Sequence, residues 1–439
     1  MTITIRSKEF SFKITDENII SSLAEYFQLH TKKNELPLRF SVVQQSKKNL
    51  QIEIESIVNC HQKFPSIFEY RQRKIARTAQ FNAVMLIPTG IDCEIGGHAG
   101  DATPSARLLA TQCDHLIIHP NVVNASDINE MTDNCLYAEG SLVTRLLMGQ
   151  IGLKKVRQNR ILLITEKNPE YKLALNKTIN CVEGARATLG IDIADILILE
   201  KGLHMETGIS KSGRVTGAID HIERLLDLLE NHKKSYDAIA ITSKITLNND
   251  AEKKKAYDYF TKKNIPNIWG SVEAILTHFI SSYFNVPSAH APTLEDDETL
   301  LKEYGIIDPR KGAEIISSTY LFCVLKGLNR APQLMLNCPD YYYDPSVLTV
   351  EDVSCLVIPD GCIGLPTLAA LQQGIPVIAV KNNKNLMRNK LEDLPFQSGQ
   401  LRFAENYYEA AGMMAAIKAG VATTALERPI PFSPIHHVK

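Results

Sequence analysis

From Asn82 onward, short apolar runs alternate with helix-length stretches in which apolar residues recur every three or four positions. The runs are AVMLIP from Ala83, HLIIHP from His115, RILLIT from Arg160, DILILE from Asp195, AIAIT from Ala238, SCLVIP from Ser354 and PVIAV from Pro376. Several are nearly continuous Val, Ile and Leu, the signature of strands covered on both faces, as in a parallel sheet. Between them the periodicity predicts helices over 103–113, 171–189, 217–231, 271–283, 312–328 and 365–373. Such alternation predicts an α/β fold with parallel strands joined by helical crossovers. Residues 1–78 read differently: short alternating runs at 2–5, 10–13 and 50–54 surround a helical stretch at 16–30, which predicts a small α+β extension. The remainder exceeds one doubly wound sheet of average size. The expected architecture is therefore two Rossmann-like parallel-sheet lobes, 79–220 and 221–439, with a cleft between them.

Composition narrows the class without naming a chemistry. With 439 residues, 44% of them hydrophobic, and 48 Lys plus Arg facing 49 Asp plus Glu, the chain buries a core and carries almost no net charge. That balance excludes disorder and gives no global attraction to nucleic acid or anionic membrane, so the expected partner is a small-molecule substrate. No apolar run reaches the roughly 18–20 residues of a membrane span, and the opening MTITIRSKEF has charges where a signal peptide is apolar. The expected location is the cytoplasm. Nine cysteines without a CxxC pair predict reduced thiols rather than a disulfide framework or a closed zinc site. A homo-oligomer is left open, and no cofactor is specified.

Four segments carry candidate chemistry. PTGIDCEIGGHAGDATPSARLLA, 88–110, follows a strand and opens a helix; Gly96, Gly97 and Gly100 let backbone amides approach an anion, and Asp101 or Thr103 caps the helix. Next comes DHLIIHPNVVNASDINE, 114–130, in which His119, Asn121, Asn124 and Asp127 follow a strand end, where open parallel sheets bind ligands. His98, Asp101, His119 and Asp127 are the expected catalytic groups. They could also gather around a divalent cation, yet no spacing matches a known metal pattern, and no metal is expected. In HMETGISKSGRVTGAIDH, 204–221, Lys211 and Arg214 form either an anion clamp or a solvated lid. In the fourth segment, 354–383, Asp360, Gly361, Cys362 and Gly364 occupy a strand-to-helix turn, with Cys362 either a reactive thiol or a small turn residue.

Together with NIWGSVEAILTHFISSYFNVPSAHAP, 267–292, the first, second and fourth segments resemble the bacterial family called domain of unknown function 3326, a likeness running from about 82 to 400 that implies no activity. Locally, GGHAGDATPSARLLA is similar to the first glycine turn of GT-B glycosyltransferases, and residues 361–380 to that fold's second-lobe element, with Ala369 or Ala370 where those enzymes carry a ribose-binding Glu. Residues 354–383 also look like the second cysteine motif of the aspartate/glutamate racemase and arylmalonate decarboxylase group; this likeness implies a catalytic Cys362 with Cys93 as its partner thiol, and has Ile363 in place of the usual Thr. The resulting expectation is an enzyme acting on a small anionic metabolite, a nucleotide-linked one included, in the interlobe cleft. A GT-B-like transferase leads. A Cys-dependent racemase or decarboxylase, a metal-dependent hydrolase and a non-catalytic binding protein are the alternatives.

Overall fold

The computed structural model describes residues 2–15, 18–60, 64–123, 130–167, 172–232, 235–247, 250–262, 265–293, 304–316, 320–336, 344–430 and 432–437. In chain order the first elements are β1 (Thr4–Lys13), α1 (Ile19–His30), β2 (Glu35–Ser46) and β3 (Asn49–Val58). They are followed by β4 (Asn82–Met85), α2 (Thr103–Ala110), β5 (His115–Ile118), the single turn α3 (Pro120–Val123), β6 (Cys135–Tyr137) and α4 (Gly140–Leu147). The middle of the chain forms β7 (Ile151–Lys154), β8 (Arg160–Glu166), α5 (Lys172–Leu189), β9 (Asp192–Leu199), β10 (His204–Ile209), β11 (Val215–Asp220), α6 (Ile222–Asn231), β12 (Ala238–Ser243), α7 (Asp250–Thr261), α8 (Gly270–Phe284) and β13 (Ser288–Pro292). The remainder is α9 (Gly312–Ile316), α10 (Tyr320–Asn329), β14 (Gln333–Leu336), β15 (Val347–Leu348), β16 (Val353–Pro359), β17 (Ile363–Gly364), α11 (Leu365–Gln373), β18 (Val377–Val380), β19 (Leu401–Ala404) and α12 (Tyr407–Lys418).

These strands build an α/β protein with two parallel sheets. The larger, ordered β19-β18-β16-β4-β5-β6, takes its strands from 82–137 and 353–404; the smaller, ordered β13-β12-β8-β9, takes them from 160–199 and 238–292. Each sheet is thus assembled from stretches far apart in sequence. The chain leaves the large sheet after β6, completes the small one and returns at β16. An antiparallel sheet, β10-β11-β1-β3-β2-β17, joins the N-terminal strands to a hairpin from the middle of the chain and to the two residues of β17, and β14-β7-β15 forms a small fourth sheet.

Most expected strands and helices are present, and the exceptions have local causes. Residues 217–220, read as helix, are the end of β11. A Cβ on Gly217 would lie 2.7 Å from both the Glu206 carbonyl oxygen and Val272 Cβ, so the glycine serves a close strand-to-helix packing rather than a helix start. The stretch expected as one helix over 312–328 contains two, α9 and α10. The apolar run at 195 belongs to an edge strand and is only half buried. By contrast α11 has the expected limits: Pro366 sits in its first turn and Gly374, at φ 65°, ends it in the left-handed conformation.

In the large sheet, β4 and β16 are neighbours from which the chain proceeds in opposite directions, to β5 and β6 on one side and to β18 and β19 on the other. Loops leaving the carboxyl ends of such a pair diverge and open a crevice. Both glycine turns, 96–100 and 361–364, leave this pair of strands.

Candidate functional site

A cavity of about 230 Å³ lies at that crevice. Its floor comes from the carboxyl ends of four parallel strands: Leu86 to Ile91 after β4, His119 to Asn121 after β5, Glu139 to Ser141 after β6, and Cys362 to Thr367 after β16. The remaining walls are β2 from Leu36 to Val42, the segment Phe64 to Ile67, and one face of α8. The N-terminal extension is therefore part of the wall. The register between β2 and β3 shifts between Pro37 and Arg39, inserting Leu38 as an extra residue. A bulge bends its strand and re-aims the following side chain. Here it accompanies Arg39, whose Nη2 reaches across to Thr89 Oγ1 at 2.6 Å while Nη1 lies 3.4 Å from Ser271 Oγ.

The polar part of the cavity centres on Glu139 and His278. Glu139 caps α4, accepting the Ser141 backbone N–H at 2.8 Å and the Ser141 hydroxyl, and its Oε1 lies 2.5 Å from His278 Nδ1. Thr277 Oγ1 donates to the same oxygen at 3.3 Å. Burial pushes the Glu139 carboxyl up, but the His278 imidazole and the Ser141 donors together outweigh it and leave the group below the ordinary carboxylate range. Gly140 makes room for the histidine, since a Cβ there would sit 2.9 Å from His278 Cε1.

Two arginines border this pair without a carboxylate at ion-pair distance among the described residues. Burial, followed by repulsion from Arg214, lowers the Arg39 guanidinium to about 10, despite the opposing fields of Glu55, Glu139 and Glu53. It remains a cation at neutral pH. Arg145 is buried at 8% exposure and donates to Asn285 Oδ1 at 2.9 Å, while its Nε and Nη1 have no hydrogen-bond partner among the described residues. His119, also on the wall, accepts the Ile87 backbone N–H at Nε2 (3.0 Å), so Nδ1 carries the ring proton; burial above all lowers its pKa to about 4. A third histidine, His290, contacts Glu273 Oε2 through Nδ1 at 3.0 Å and Ser243 Oγ through Nε2 at 2.9 Å. Glu273 and His290 line the cavity, whereas Ser243 lies behind them at 2% exposure and also approaches Met205 Sδ at 3.1 Å.

Of the residues singled out from sequence, the structure brings His119, Asn121, Cys362 and Gly364 to the cavity wall. Asn121 serves the turn itself, donating to the carbonyls of Ile87 and Gly96, both at 2.8 Å. His98 and Asp101 lie off the wall. Asp101 accepts the backbone N–H groups of Gly96 and His98, at 2.9 and 3.2 Å, and burial raises its pKa to about 7 against those bonds. His98 turns toward the buried hydroxyl of Tyr259 at 2.7 Å, which in turn donates to Glu314 Oε1 at 2.6 Å. Burial, followed by repulsion from Lys311 and Arg310, lowers His98 to about 3.

The glycines of the first turn shape the backbone. Gly96 and Gly100 have φ of 81° and 72°, and a Cβ on Gly97 would lie 2.2 Å from the Cys93 carbonyl oxygen. Thr103 opens α2 and is buried. Lys211 is 89% exposed and 3.7 Å from Glu9, while Arg214 is fully buried, its Nη1 2.9 Å from Glu53 Oε2 and 2.7 Å from Glu55 Oε1. Its charge is spent inside the antiparallel sheet rather than on an open clamp. Asp360 accepts the Gly361 N–H at 2.8 Å, and Gly361 adopts φ 79° to make that turn. Asn124 and Asp127 lie outside the described residues.

The two cysteines named together from sequence are direct neighbours. Burial above all pushes the Cys93 thiol well up, and the neighbouring Cys362 thiol adds to this. Cys93 and Cys362 are exposed by only 1% and 3%.

Sequence reasoning passed over Arg39, Glu139, Arg145, Glu273, His278 and His290. The signal for three of them lay in the distinctive stretch 267–292. For Glu139 it lay in AEGS after the run CLY, one more strand-to-helix turn of the same sheet. Arg39 gave no signal, because nothing local tells that β2 closes over strands that begin more than forty residues later.

Comparison with known proteins places residues 82–427 within one family profile, Protein of unknown function (DUF3326). A Synechococcus protein named an uncharacterized lipoprotein is 33% identical over 346 residues, covering 78% of this chain and 92% of that one. No solved structure matches.

Proposed function

From a chain that belongs to the family Protein of unknown function (DUF3326), a name carrying no activity, we propose a function on the chemistry of the cavity: an enzyme that binds a small anionic metabolite and moves a proton on it. One observation carries this reading. The two arginines of the cavity wall, the half-buried Arg39 and the buried Arg145, are cations without an ion pair among the described residues, and they flank the buried carboxylate of Glu139 and the partly buried His278. A buried charge left unpaired is costly unless a ligand completes it.

In the proposed mechanism the substrate's anionic group docks on Arg39. Glu139, whose Oε1 lies 2.5 Å from Nδ1, holds the His278 ring in place and leaves Nε2 to take a proton from the substrate or from a water beside it. Arg39 then faces the negative charge that develops as the proton leaves. His119, neutral at working pH, contributes a donor rather than a charge. Buried side by side, Cys93 and Cys362 support a packing role better than a pair of acid–base thiols. The cavity of about 230 Å³ also favours a small acid over a nucleotide sugar, most of which would lie outside it.

The test is solvent-deuterium incorporation into small carboxylic acids, followed by NMR. Exchange or turnover catalysed by the protein should fall at least about 100-fold in Glu139→Gln and in His278→Gln, as expected for loss of a positioned base. Ligands that bind with no exchange or turnover would leave a non-catalytic binding protein instead, and exchange unaltered in Glu139→Gln would remove the dyad. Cytoplasmic location is likewise a proposal, supported by the eight described cysteines being free thiols. The Synechococcus relative's name suggests anchoring, and fractionation of cells into membrane and soluble pools separates the two.

A further inference from the structure

The polar groups occupy only part of the cavity. Arg39, His119, Glu139, Glu273, His278 and His290 face one another across the junction of the strand ends with α8. The rest of the lining is mostly apolar, supplied by Leu36, Leu38 and Phe40 of β2, Phe64 and Ile67 of the following segment, and Leu86, Ile91, Ile363 and Leu365 from the strand-end loops. A sugar or polyol would leave its hydroxyls against these side chains without partners, each at a cost of a few kcal/mol. A hydrocarbon body gains from the same surface.

Charge limits the head group. The cations Arg39 and Arg145 are balanced on the same wall by the carboxylates Glu139 and Glu273. A single negative charge can take the guanidinium of Arg39 and its neighbour Thr89, 2.6 Å apart, while a dianion such as phosphate would meet the field of Glu139 in a low-dielectric space. Size limits the body. A dry protein cavity of about 150 Å³ holds a benzene ring. The volume here, about 230 Å³, has room for a ring and a carboxymethyl group together.

We infer that the substrate is a monoanionic carboxylic acid of about ten non-hydrogen atoms with an aromatic or branched apolar body. Its carboxylate lies on Arg39, its body between β2 and the strand-end loops, and the carbon next to the carboxylate beside His278. The inference rests on the acid–base reading for the position of the head group, and on the apolar lining for the body.

Isothermal titration calorimetry of the full chain with phenylacetate, acetate and inorganic phosphate tests it. Phenylacetate should bind at least about 30-fold more tightly than acetate, the difference expected from burying a phenyl ring, and inorganic phosphate should bind more weakly than phenylacetate. Arg39→Gln should weaken phenylacetate at least about tenfold. If that variant fails to fold, 2-phenylethanol replaces it as the measure of the same contact: the neutral analogue should bind the wild-type protein at least about tenfold more weakly than phenylacetate. Acetate and phenylacetate binding within threefold of each other, or phosphate binding more tightly than either, would overturn the apolar acid as substrate class. The acid–base reading fails separately, through deuterium exchange on any ligand that is indifferent to Glu139→Gln.

Discussion

Arg214 and Arg39 lie close enough for each to feel the other's charge, on the same antiparallel sheet, and they have been treated in opposite ways. Arg214 has no exposed surface, and two carboxylates on β3, Glu53 and Glu55, meet it at 2.9 and 2.7 Å. The two carboxylates together outweigh the one guanidinium, and the field of Glu55 raises the Arg214 pKa against the loss of hydration. Among the described residues Arg39 has only the Thr89 and Ser271 hydroxyls and the Thr89 carbonyl as hydrogen-bond partners, and its pKa is lowered. A fold that neutralises one arginine fully and leaves its neighbour unpaired beside a cavity separates cohesion from recognition at the level of single residues.

The largest effect should come from breaking the buried Arg214 cluster. Arg214→Met leaves two carboxylates buried without a cation, which should cost about 3–5 kcal/mol of stability, or prevent folding outright. Arg39→Met removes a cation that no carboxylate holds, and should change stability by no more than about 1 kcal/mol, in either direction, while removing anion binding. Urea denaturation of the two variants measures the contrast directly. Equal losses would mean that Arg39 is as structural as Arg214.

Much of the frame was legible because it is written locally. The apolar runs that form β4 and β16 and the glycine turns that follow them announce parallel strands feeding helices, and both strands are neighbours in one parallel sheet. What could not be read is which distant segments close that crevice. Arg39 depends on a bulge in β2 and on β2 lying over strand ends from two later stretches of chain, a pairing that no periodicity encodes. His98 and Asp101 misled for the converse reason: a polar residue in a glycine turn has the same sequence signature whether it faces a ligand or holds the turn together. Here Asp101 binds two amides of its own loop and His98 reaches the Tyr259 hydroxyl.

An intermediate effect should appear with pH at His119, the uncharged member of the cavity. Its folded pKa of about 4 lies below the unfolded value near 6.5. Above pH 6.5 neither state binds the proton and the residue contributes no pH dependence. As pH falls from 6.5 towards 4 only the unfolded state takes it up, so the folded state loses ground, by roughly 3 kcal/mol at 1.36 kcal/mol per unit. Asp101, raised to about 7, works in the other direction, because its folded form takes up a proton before the unfolded one does. The readout is therefore a difference: between pH 6.5 and 4, His119→Gln should lose less stability than the wild-type protein by about that amount. Parallel curves would mean that His119 titrates normally and reaches solvent.

The smallest effect separates the thiol from the arginine as the reactive feature of the crevice. Cys362 touches the cavity, but its sulfur lies buried beside Cys93, and Thr367 Oγ1 binds its carbonyl at 2.9 Å, tying the turn to the start of α11. Replacing the buried thiol by hydrogen forfeits packing, on the order of 1 kcal/mol. Nothing in the proposed proton transfer passes through it. Cys362→Ala should therefore keep phenylacetate affinity and deuterium exchange within about tenfold, which is roughly 1.4 kcal/mol of barrier. Alkylating reagents should modify the folded protein slowly at this position, because the sulfur is only slightly exposed and Cys93 beside it is held as a thiol. A Cys362→Ala protein that folds normally and binds the acid, yet loses several orders of magnitude in exchange rate, would move the chemistry from His278 to the cysteine pair. The unpaired arginines would then be left as the means of holding the substrate alone.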